Sequence, residues 1–302
     1  MKSLIVGMGI GGLYKSQLEF LGATVTTVDS NPAVKADYLS IQDIPPTEMF
    51  DTAHICTPNF LHDEHARLCA PLSTIVFVDK PGVKTAGDWH RLTEDFPTTR
   101  FMMVKNNQWR EQIAGLSELA HSAKTINIIW NNCDRVPKPG SWFTTKALAY
   151  GGVSRDLMPH LLSWVQALFP EDSPGHSTWK HAWDTSSSSE QWHKLCDLTG
   201  SDYGEMFADG VYDVDDRASM QLMLNGKVIN LQADWRTGHP DARYLELVFE
   251  DDTTLRYEFG LCPEYAYRRM IQEAHSKVYD VEFWKKQMVR DMWIHTAVGK
   301  FK

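Results

Sequence analysis

Over the first hundred residues, apolar positions fall in short β-branched runs separated by stretches with a helical period. The runs at 3–6, 23–28, 52–56, 74–78 and 100–104 alternate with helical stretches at 13–21, 61–69 and 85–96. Strand and helix in alternation predict a doubly wound parallel sheet. The rhythm changes after about residue 105. There, 125–131 predicts a strand, 137–140 a loop and 154–169 a helix, whereas the polar stretch 171–190, with serines at 186–189, predicts a flexible excursion. From Ala218 onwards the period drops to two, with strands predicted at 219–224, 228–235, 244–249 and 254–259 and a last helix at 282–298. Asn225-Gly226 suits a type I′ hairpin, and Asp251-Asp252 a second tight turn. Leu255, Tyr257 and Phe259 alternate with Arg256 and Glu258, which predicts one buried face and one polar face on an antiparallel sheet. The open face of that sheet needs a cover, either helices or a second copy of the sheet.

Composition narrows the partners. At 302 residues the chain is long enough for two packed cores. A formal net charge of -9 argues against nucleic acid or an anionic membrane as the main partner, which leaves a small molecule. Cys56, Cys69, Cys133, Cys196 and Cys262 are odd in number, scattered and never in a C-x-x-C pair, so neither a disulfide framework nor a structural zinc site is expected. No metal site is read elsewhere, since His176, His181 and His193 lack ligand spacing. A reducing cytoplasm fits, and the chain start has neither the order of a signal peptide nor an apolar run of membrane-spanning length.

The first strand runs into Gly7-Met8-Gly9-Ile10-Gly11-Gly12, which fits G-x-G-x-x-G through Gly7, Gly9 and Gly12. In that motif the first glycine allows the tight turn, the second lets backbone approach a pyrophosphate, and the third lets helix and strand pack closely. Phosphate then sits on a helix N-terminus, near Ile10 and Gly11. Asp29, followed by Ser30, ends the second strand. A carboxylate there accepts hydrogen bonds from ribose hydroxyls and repels a 2′-phosphate, which favours NAD over NADP.

Three further motifs follow in order: Thr57-Pro58-Asn59 with His62 after the third strand, Asp79-Lys80-Pro81 after the fourth, and Gly151-Gly152-Val153-Ser154-Arg155-Asp156-Leu157-Met158-Pro159-His160 at the start of the second half. Together with the glycines, this order resembles the Gfo/Idh/MocA family, that of glucose-fructose oxidoreductase and inositol dehydrogenase, over essentially the whole chain. Asp79-Lys80-Pro81 is the most diagnostic motif, similar to the family's Glu-Lys-Pro with a shorter acid. The resemblance implies an α/β protein: a Rossmann domain in 1–105, then a substrate-binding and oligomerisation α/β domain in 106–302 with a large open antiparallel or mixed sheet. The last helix is free to pack back on the first domain. It also implies NAD(P) and oxidation of an alcohol carbon, with a sugar, polyol or related small molecule as the expected substrate; the uncovered face of the late sheet predicts a homodimer or homotetramer built through it. The chain departs from the family at Val153, where a third glycine is common, at Gln108, where an arginine is common, and at Pro159. These departures leave the substrate class open.

Lys80 is expected at the carboxyl end of a parallel strand, where open α/β sheets place their ligands. An amine there donates to a substrate hydroxyl and holds a developing alkoxide, and Pro81 restricts its backbone to extended conformations. Asp156 and His160 are four positions apart, hence predicted on one face of one helix, with the carboxylate orienting the ring and raising its basicity. By resemblance, His160 is the acid/base and Asp156 the carboxylate that binds substrate and tunes it. Thr57, Pro58 and Asn59 are expected to border the nicotinamide ribose or adjacent phosphate. His62 is expected either at the cofactor or in helix packing, and Asn107 and Trp109 either in the pocket or in a domain-junction network. Among eleven tryptophans, Trp130, Trp142 and Trp235 are candidates to face the cleft, and Arg155, Arg236, His239 and Arg243 to recognise an anion. Competing expectations are a hydrolase or lyase that oxidises its substrate transiently with held NAD, and a catalytically silent cofactor-binding regulator.

Overall fold

The structure is a computed structural model that describes residues 1–132, 140–170, 178–185, 211–235 and 241–301. The chain divides into two compact units, one of Met1–Trp109 with Pro263–His295, the other of Arg110–Cys262 with Thr296–Lys302.

The first unit is built on β1 (Lys2–Val6), β2 (Thr24–Val28), β3 (Phe50–Ile55), β4 (Ser73–Val78) and β5 (Arg100–Met103), all parallel in the order β2-β1-β3-β4-β5. Helices α1 (Met8–Phe20), α2 (His62–Cys69) and α3 (Ala86–Asp95) make the crossovers. α1 begins inside the glycine turn, five residues before the stretch its apolar period marks. Tyr14 and Leu18 of α1 join Ile5, Ile75, Phe77 and Met102 in one core. A helix the sequence reading passed over also enters that core, Glu264–Ser276, through Tyr267, Met270, Ile271 and Ala274. The long final helix, Val281–Val298, adds Trp284.

The second unit starts with two short helices, α4 (Glu111–Gly115) and α5 (Ser117–Ser122), and then β6 (Thr125–Asn131), α6 (Lys146–Ala149), α7 (Val153–Asp156) and α8 (Met158–Leu168). The strands β7 (Thr178–Thr185), β8 (Arg217–Leu224), β9 (Lys227–Asp234), β10 (Ala242–Val248) and β11 (Thr254–Glu258) complete a six-stranded sheet in the order β11-β10-β6-β9-β8-β7. In chain order, the helices Glu264–Ser276 and Val281–Val298 are therefore α9 and α10.

Of the two forms expected for the late sheet, antiparallel or mixed, it takes the mixed one, because β6 inserts between β10 and β9 and runs parallel to β9; alternation of side chains fixes which face a strand buries but not its direction. Three expectations are corrected here. Thr178–Thr185 is an edge strand paired with β8 and not part of a flexible excursion. Leu255 and Tyr257 are 39% and 36% exposed, so β11 buries neither face of its own chain. The single helix expected over 154–169 is two, α7 and α8, broken at Leu157. Pro159 causes the break, since it has no N–H to donate to the Arg155 carbonyl and its ring crowds that oxygen. The loop at 137–139, the serine run 186–189, and Arg236, His239, His176 and His193 lie outside the described residues.

Both predicted turns form, with Asn225, Gly226 and Asp252 at positive φ. On β6, β8, β9 and β10 alternate residues are buried, and Ile126, Ile128, Trp130, Ile229, Leu231, Leu245 and Leu247 form the covered face.

Candidate active site

The carboxyl edge of the five-stranded sheet collects most of the nominated residues. Gly7 leaves β1 with φ 90°, and a Cβ there would lie 2.8 Å from the Cys56 carbonyl oxygen, so only glycine lets the turn pass β3. A Cβ on Gly11 would stand 2.7 Å from Ile5 Cγ2, whereas one on Gly12 meets nothing within 4 Å. The close packing of helix on strand therefore belongs to Gly11, and Gly12 is exposed. A Cβ on Gly9 also meets nothing within 4 Å, and Ile10 beside it is exposed, so the start of α1 is open on its outer side.

Asp29, just past β2, latches this turn. Its Oδ2 accepts from the Met8 N–H at 2.8 Å and its Oδ1 from the Asn31 N–H at 2.9 Å. An ionised carboxylate has about four acceptor positions, so capacity remains for ribose hydroxyls. The adjoining Ser30 is exposed. An open helix start, a glycine turn and a free-edged carboxylate at its rim fit a dinucleotide.

After β3, Asn59 is buried, Thr57 and Pro58 are half-buried, and the Thr57 hydroxyl meets His65 Nδ1 at 3.1 Å. His62, at the start of α2, is buried and faces two backbone carbonyls, Nδ1 to Gly82 at 2.7 Å and Nε2 to Thr57 at 2.8 Å. Burial pulls its pKa down, the two carbonyl contacts oppose that, and the Lys80 charge adds to it. The imidazole thereby ties the loop after β3 to the loop after β4. That second loop is a turn in which the Gly82 N–H donates to the Asp79 carbonyl at 2.8 Å and the Lys80 N–H to Asp79 Oδ1 at 2.8 Å. Half-buried Lys80 leaves the turn before a cis peptide to Pro81. Asn107, past β5, is buried, and its backbone N–H donates to Asn106 Oδ1 at 2.9 Å.

In the second unit Asp156 ends α7 and His160 lies in the first turn of α8, on consecutive helices instead of one. Both are half-buried. The carboxylate of Asp215, from the loop before β8, caps α7: it accepts from the Gly152 N–H at 2.8 Å, the Ser154 N–H at 2.7 Å and the Ser154 hydroxyl at 2.9 Å. A Cβ on Gly152 would fall 1.8 Å from the Asp215 carbonyl oxygen, so this glycine pair brings two backbones into contact. Half-buried Arg155 stands beside the Asp215 charge, with burial lowering its pKa. Sequence reasoning missed Asp215, because nothing local to it marks a cap for a helix more than sixty residues earlier. Trp235 and Trp130, candidates for facing the cleft, are buried beneath the pair: Trp235 Nε1 donates to Asp156 Oδ2 at 3.1 Å, and the His160 ring stacks on Trp130 with centroids 5.2 Å apart. Arg243 lies over Trp130 and pairs with Asp241 at 2.9 Å. Among the described residues no group of three or more His, Cys, Asp or Glu is placed to hold a metal ion, and no helix is long and apolar enough to cross a membrane.

Comparison with known proteins agrees with this edge. Residues 4–104 match the model of the Gfo/Idh/MocA oxidoreductase family, NAD-binding Rossmann fold. A protein of Amycolatopsis mediterranei (strain S699), provisionally designated a UDP-kanosamine synthase oxidoreductase subunit, is 23% identical over 298 residues, which covers 87% of this chain and 77% of the relative. The fold is shared with GenD2 from gentamicin A biosynthesis, crystallised with NAD, at a TM-score of 0.72 and 14% identity over 97% of this chain and 92% of that one. It is shared equally with levoglucosan dehydrogenase, crystallised with NADH and levoglucosan, at a TM-score of 0.67 and 16% identity over 99% and 97%. The glycine turn, the acidic latch and the Asp79-Lys80-Pro81 turn all lie on one parallel sheet within residues 4–104, the segment that matches the NAD-binding Rossmann fold of the Gfo/Idh/MocA oxidoreductase family.

Proposed function

We propose that the chain is a dehydrogenase or reductase of a sugar, polyol or related small molecule, with Lys80, Asp156 and His160 as its working groups. One observation carries the reading: the glycine turn, Thr57-Pro58-Asn59 and Lys80 all follow parallel strands of the same sheet and so share its carboxyl edge. Gly7, Gly9, Ile10, Gly11 and Gly12 with Asp29 and Ser30 would hold the adenosine and pyrophosphate, while Thr57, Pro58, Asn59 and Asn107 lie towards the nicotinamide. His62 contributes through the two loops it joins. Bound NAD supplies the acceptor for a hydride from a carbinol carbon.

The chain's own groups manage the oxygen and its proton. His160 takes the hydroxyl proton, and the Lys80 ammonium holds the oxygen as its bond to carbon becomes a carbonyl. Asp156 accepts a hydrogen bond from a substrate hydroxyl and orients the imidazole. In the reverse direction His160 returns the proton. The levoglucosan bound to one neighbour and the aminosugar-linked name of the curated relative support a sugar-like substrate.

The decisive measurement is NADH absorbance in mixtures of protein, NAD and panels of polyols, sugars and hydroxy acids. NADH formation that is lost in Lys80→Met and His160→Ala supports the reading. Substrate consumption without NADH formation would replace it with a hydrolase or lyase that oxidises transiently. NAD binding without any turnover would replace it with a regulatory role.

Two further proposals concern the setting. A cytoplasmic location follows from five scattered cysteines in no pairing pattern. A second copy covers the open face of the six-stranded sheet. In support, that face presents a chain of amide hydrogen bonds, Gln221 to Asn230 at 2.8 Å, Asn230 to Asn127 at 2.9 Å and Asn127 to Glu246 at 2.9 Å.

A further inference from the structure

Each member of the Asp156–His160 pair stands against its own buried indole. Trp130 is the penultimate residue of β6, and Trp235 is the first residue beyond β9. These strands are parallel neighbours in which Trp130 pairs with Ala233, two positions before Trp235. Both indoles therefore occupy the helix-covered face at the same end of the sheet. Trp235 is fully buried and Trp130 only 8% exposed, so neither has a free face for stacking on a ligand. What they do reach is the pair: Trp235 Nε1 donates to Asp156 Oδ2 at 3.1 Å, and the Trp130 ring lies 5.2 Å from the His160 ring at an interplanar angle of 24°.

The indoles are themselves held. Trp164 of α8 stacks on Trp130 at 5.8 Å and 24°, and the Arg243 guanidinium lies 5.2 Å from the Trp130 ring centroid. Phe143 packs on Trp235 at 5.4 Å. Such support matters because α7 and α8 meet at a break, where no continuous helix sets the spacing of the two side chains. A rigid aromatic under each supplies the register that a helix would otherwise give.

We propose that Trp130 and Trp235 are positioning residues for the redox site, with the Trp235 N–H fixing the Asp156 carboxylate and the Trp130 face fixing the plane of the His160 imidazole. The proposal rests on the dehydrogenase reading for the task of the pair, and on the geometry alone for the positioning. Misplacing a reacting group by about 1 Å costs up to about a hundredfold in rate. The positioning effect is therefore expected in kcat more than in KM.

Three variants test it: Trp235→Phe, which loses the N–H and keeps the ring, and Trp130→Leu against Trp130→Phe, which separate loss of the aromatic face from its retention. Trp235→Phe and Trp130→Leu are expected to lower kcat about tenfold or more with KM within about threefold, and Trp130→Phe to recover most of the loss. NAD affinity, a property of the other unit, is expected to stay unchanged in all three, and urea unfolding checks that the second unit remains folded. A second readout needs no turnover. In protein labelled on its histidine rings, the His160 signals, assigned by their absence in His160→Gln, are expected to carry an upfield indole ring-current shift that Trp130→Leu removes and Trp130→Phe partly keeps. Wild-type kcat in both Trp235→Phe and Trp130→Leu, or His160 signals unmoved by Trp130→Leu, overturns the proposal. A wild type that reduces no NAD would sink the dehydrogenase reading instead, and the ring shift would then decide the positioning alone.

Discussion

At Gly152 one hydrogen atom separates two segments of backbone. A methyl group there would sit 1.8 Å from the Asp215 carbonyl oxygen, so Gly152→Ala has to push the loop before β8 off α7. Overpacking of this kind costs about 1–3 kcal/mol. Because the same loop carries the cap of α7, kcat is expected to fall with stability, as urea unfolding and NADH formation will show. Asp215→Ala removes the cap without the clash. Its expected cost is about 0.5–2 kcal/mol, with a loss of kcat that exceeds any change in NAD affinity. The candidate site residues legible in the sequence were those marked by local motifs: the glycine turn, Asp29, Lys80 beside Pro81, and the Asp156–His160 spacing. Their supports were not. Asp215, Trp130 and Trp235 reach the pair from strands or loops distant in sequence, and nothing in their own neighbourhoods announces the contact. His62 was legible as a residue of the cofactor site or of helix packing, but its two carbonyl partners at Thr57 and Gly82 exist only once the sheet has formed.

At the scale of elements, α10 is tied to the first sheet by an ion pair in which Lys105 Nζ lies 2.6 Å from Asp291 Oδ1 and neither side chain is more than 2% exposed. Asp291 also accepts from the Met103 N–H at 3.0 Å and from Gln287 at 2.9 Å. Burial pushes the Asp291 carboxyl up and the Lys105 amine down, while each charge opposes the shift in the other. Asp291→Asn leaves the lysine charge buried without its partner and is expected to destabilise by about 3–5 kcal/mol, measured as a shift of the urea midpoint. Across the same sheet, fully buried His54 is held neutral. Its Nδ1 meets the Tyr267 hydroxyl at 3.0 Å, and its Nε2 meets Thr52 Oγ1 at 3.1 Å, whose hydroxyl goes on to Ser3. Burial lowers its pKa from 6.5 to about 3. The unfolded chain then binds a proton that the native state refuses between those values. Stability is complete above about pH 6.5 and falls as pH drops towards 3, with a slope that His54→Gln should flatten in urea titrations across that window.

Strand positions in both sheets could be read because alternation and β-branched runs are local properties. Direction could not: β6 shows one alternation of buried and half-buried residues, although its neighbour β9 is parallel and its neighbour β10 antiparallel. β7 was hidden by the serine run that follows it. α9 was readable in principle, since Tyr267, Met270, Ile271 and Ala274 recur at helical spacing, but the charges of Arg268, Arg269 and Glu273 interleave with them.

For the molecule as a whole, the order of strand and helix led from the sequence to an α/β chain with two sheets, and the strand orders agree with that architecture. The number of copies is a separate matter, decided by the face that β6, β8, β9 and β10 leave open. A dimer or tetramer at micromolar concentration in sedimentation equilibrium is the expected outcome, and Gln221→Lys with Asn230→Lys, both on that face, should shift it towards monomer without loss of NAD binding.

The return of residues 263–295 to the first unit sets a condition on biosynthesis. Tyr267, Met270, Ile271, Ala274 and Trp284 leave the ribosome after the whole second sheet, yet they complete the interior around Ile5, Phe77 and Met102, which are made well before it. A nascent chain that has emerged only as far as Trp109 thus carries an unfinished nucleotide-binding half, whose exposed apolar flank must wait through the synthesis of an entire second sheet. Splicing 263–295 directly behind Trp109 through a flexible tether should end that wait and yield a miniature protein that folds early and retains dinucleotide.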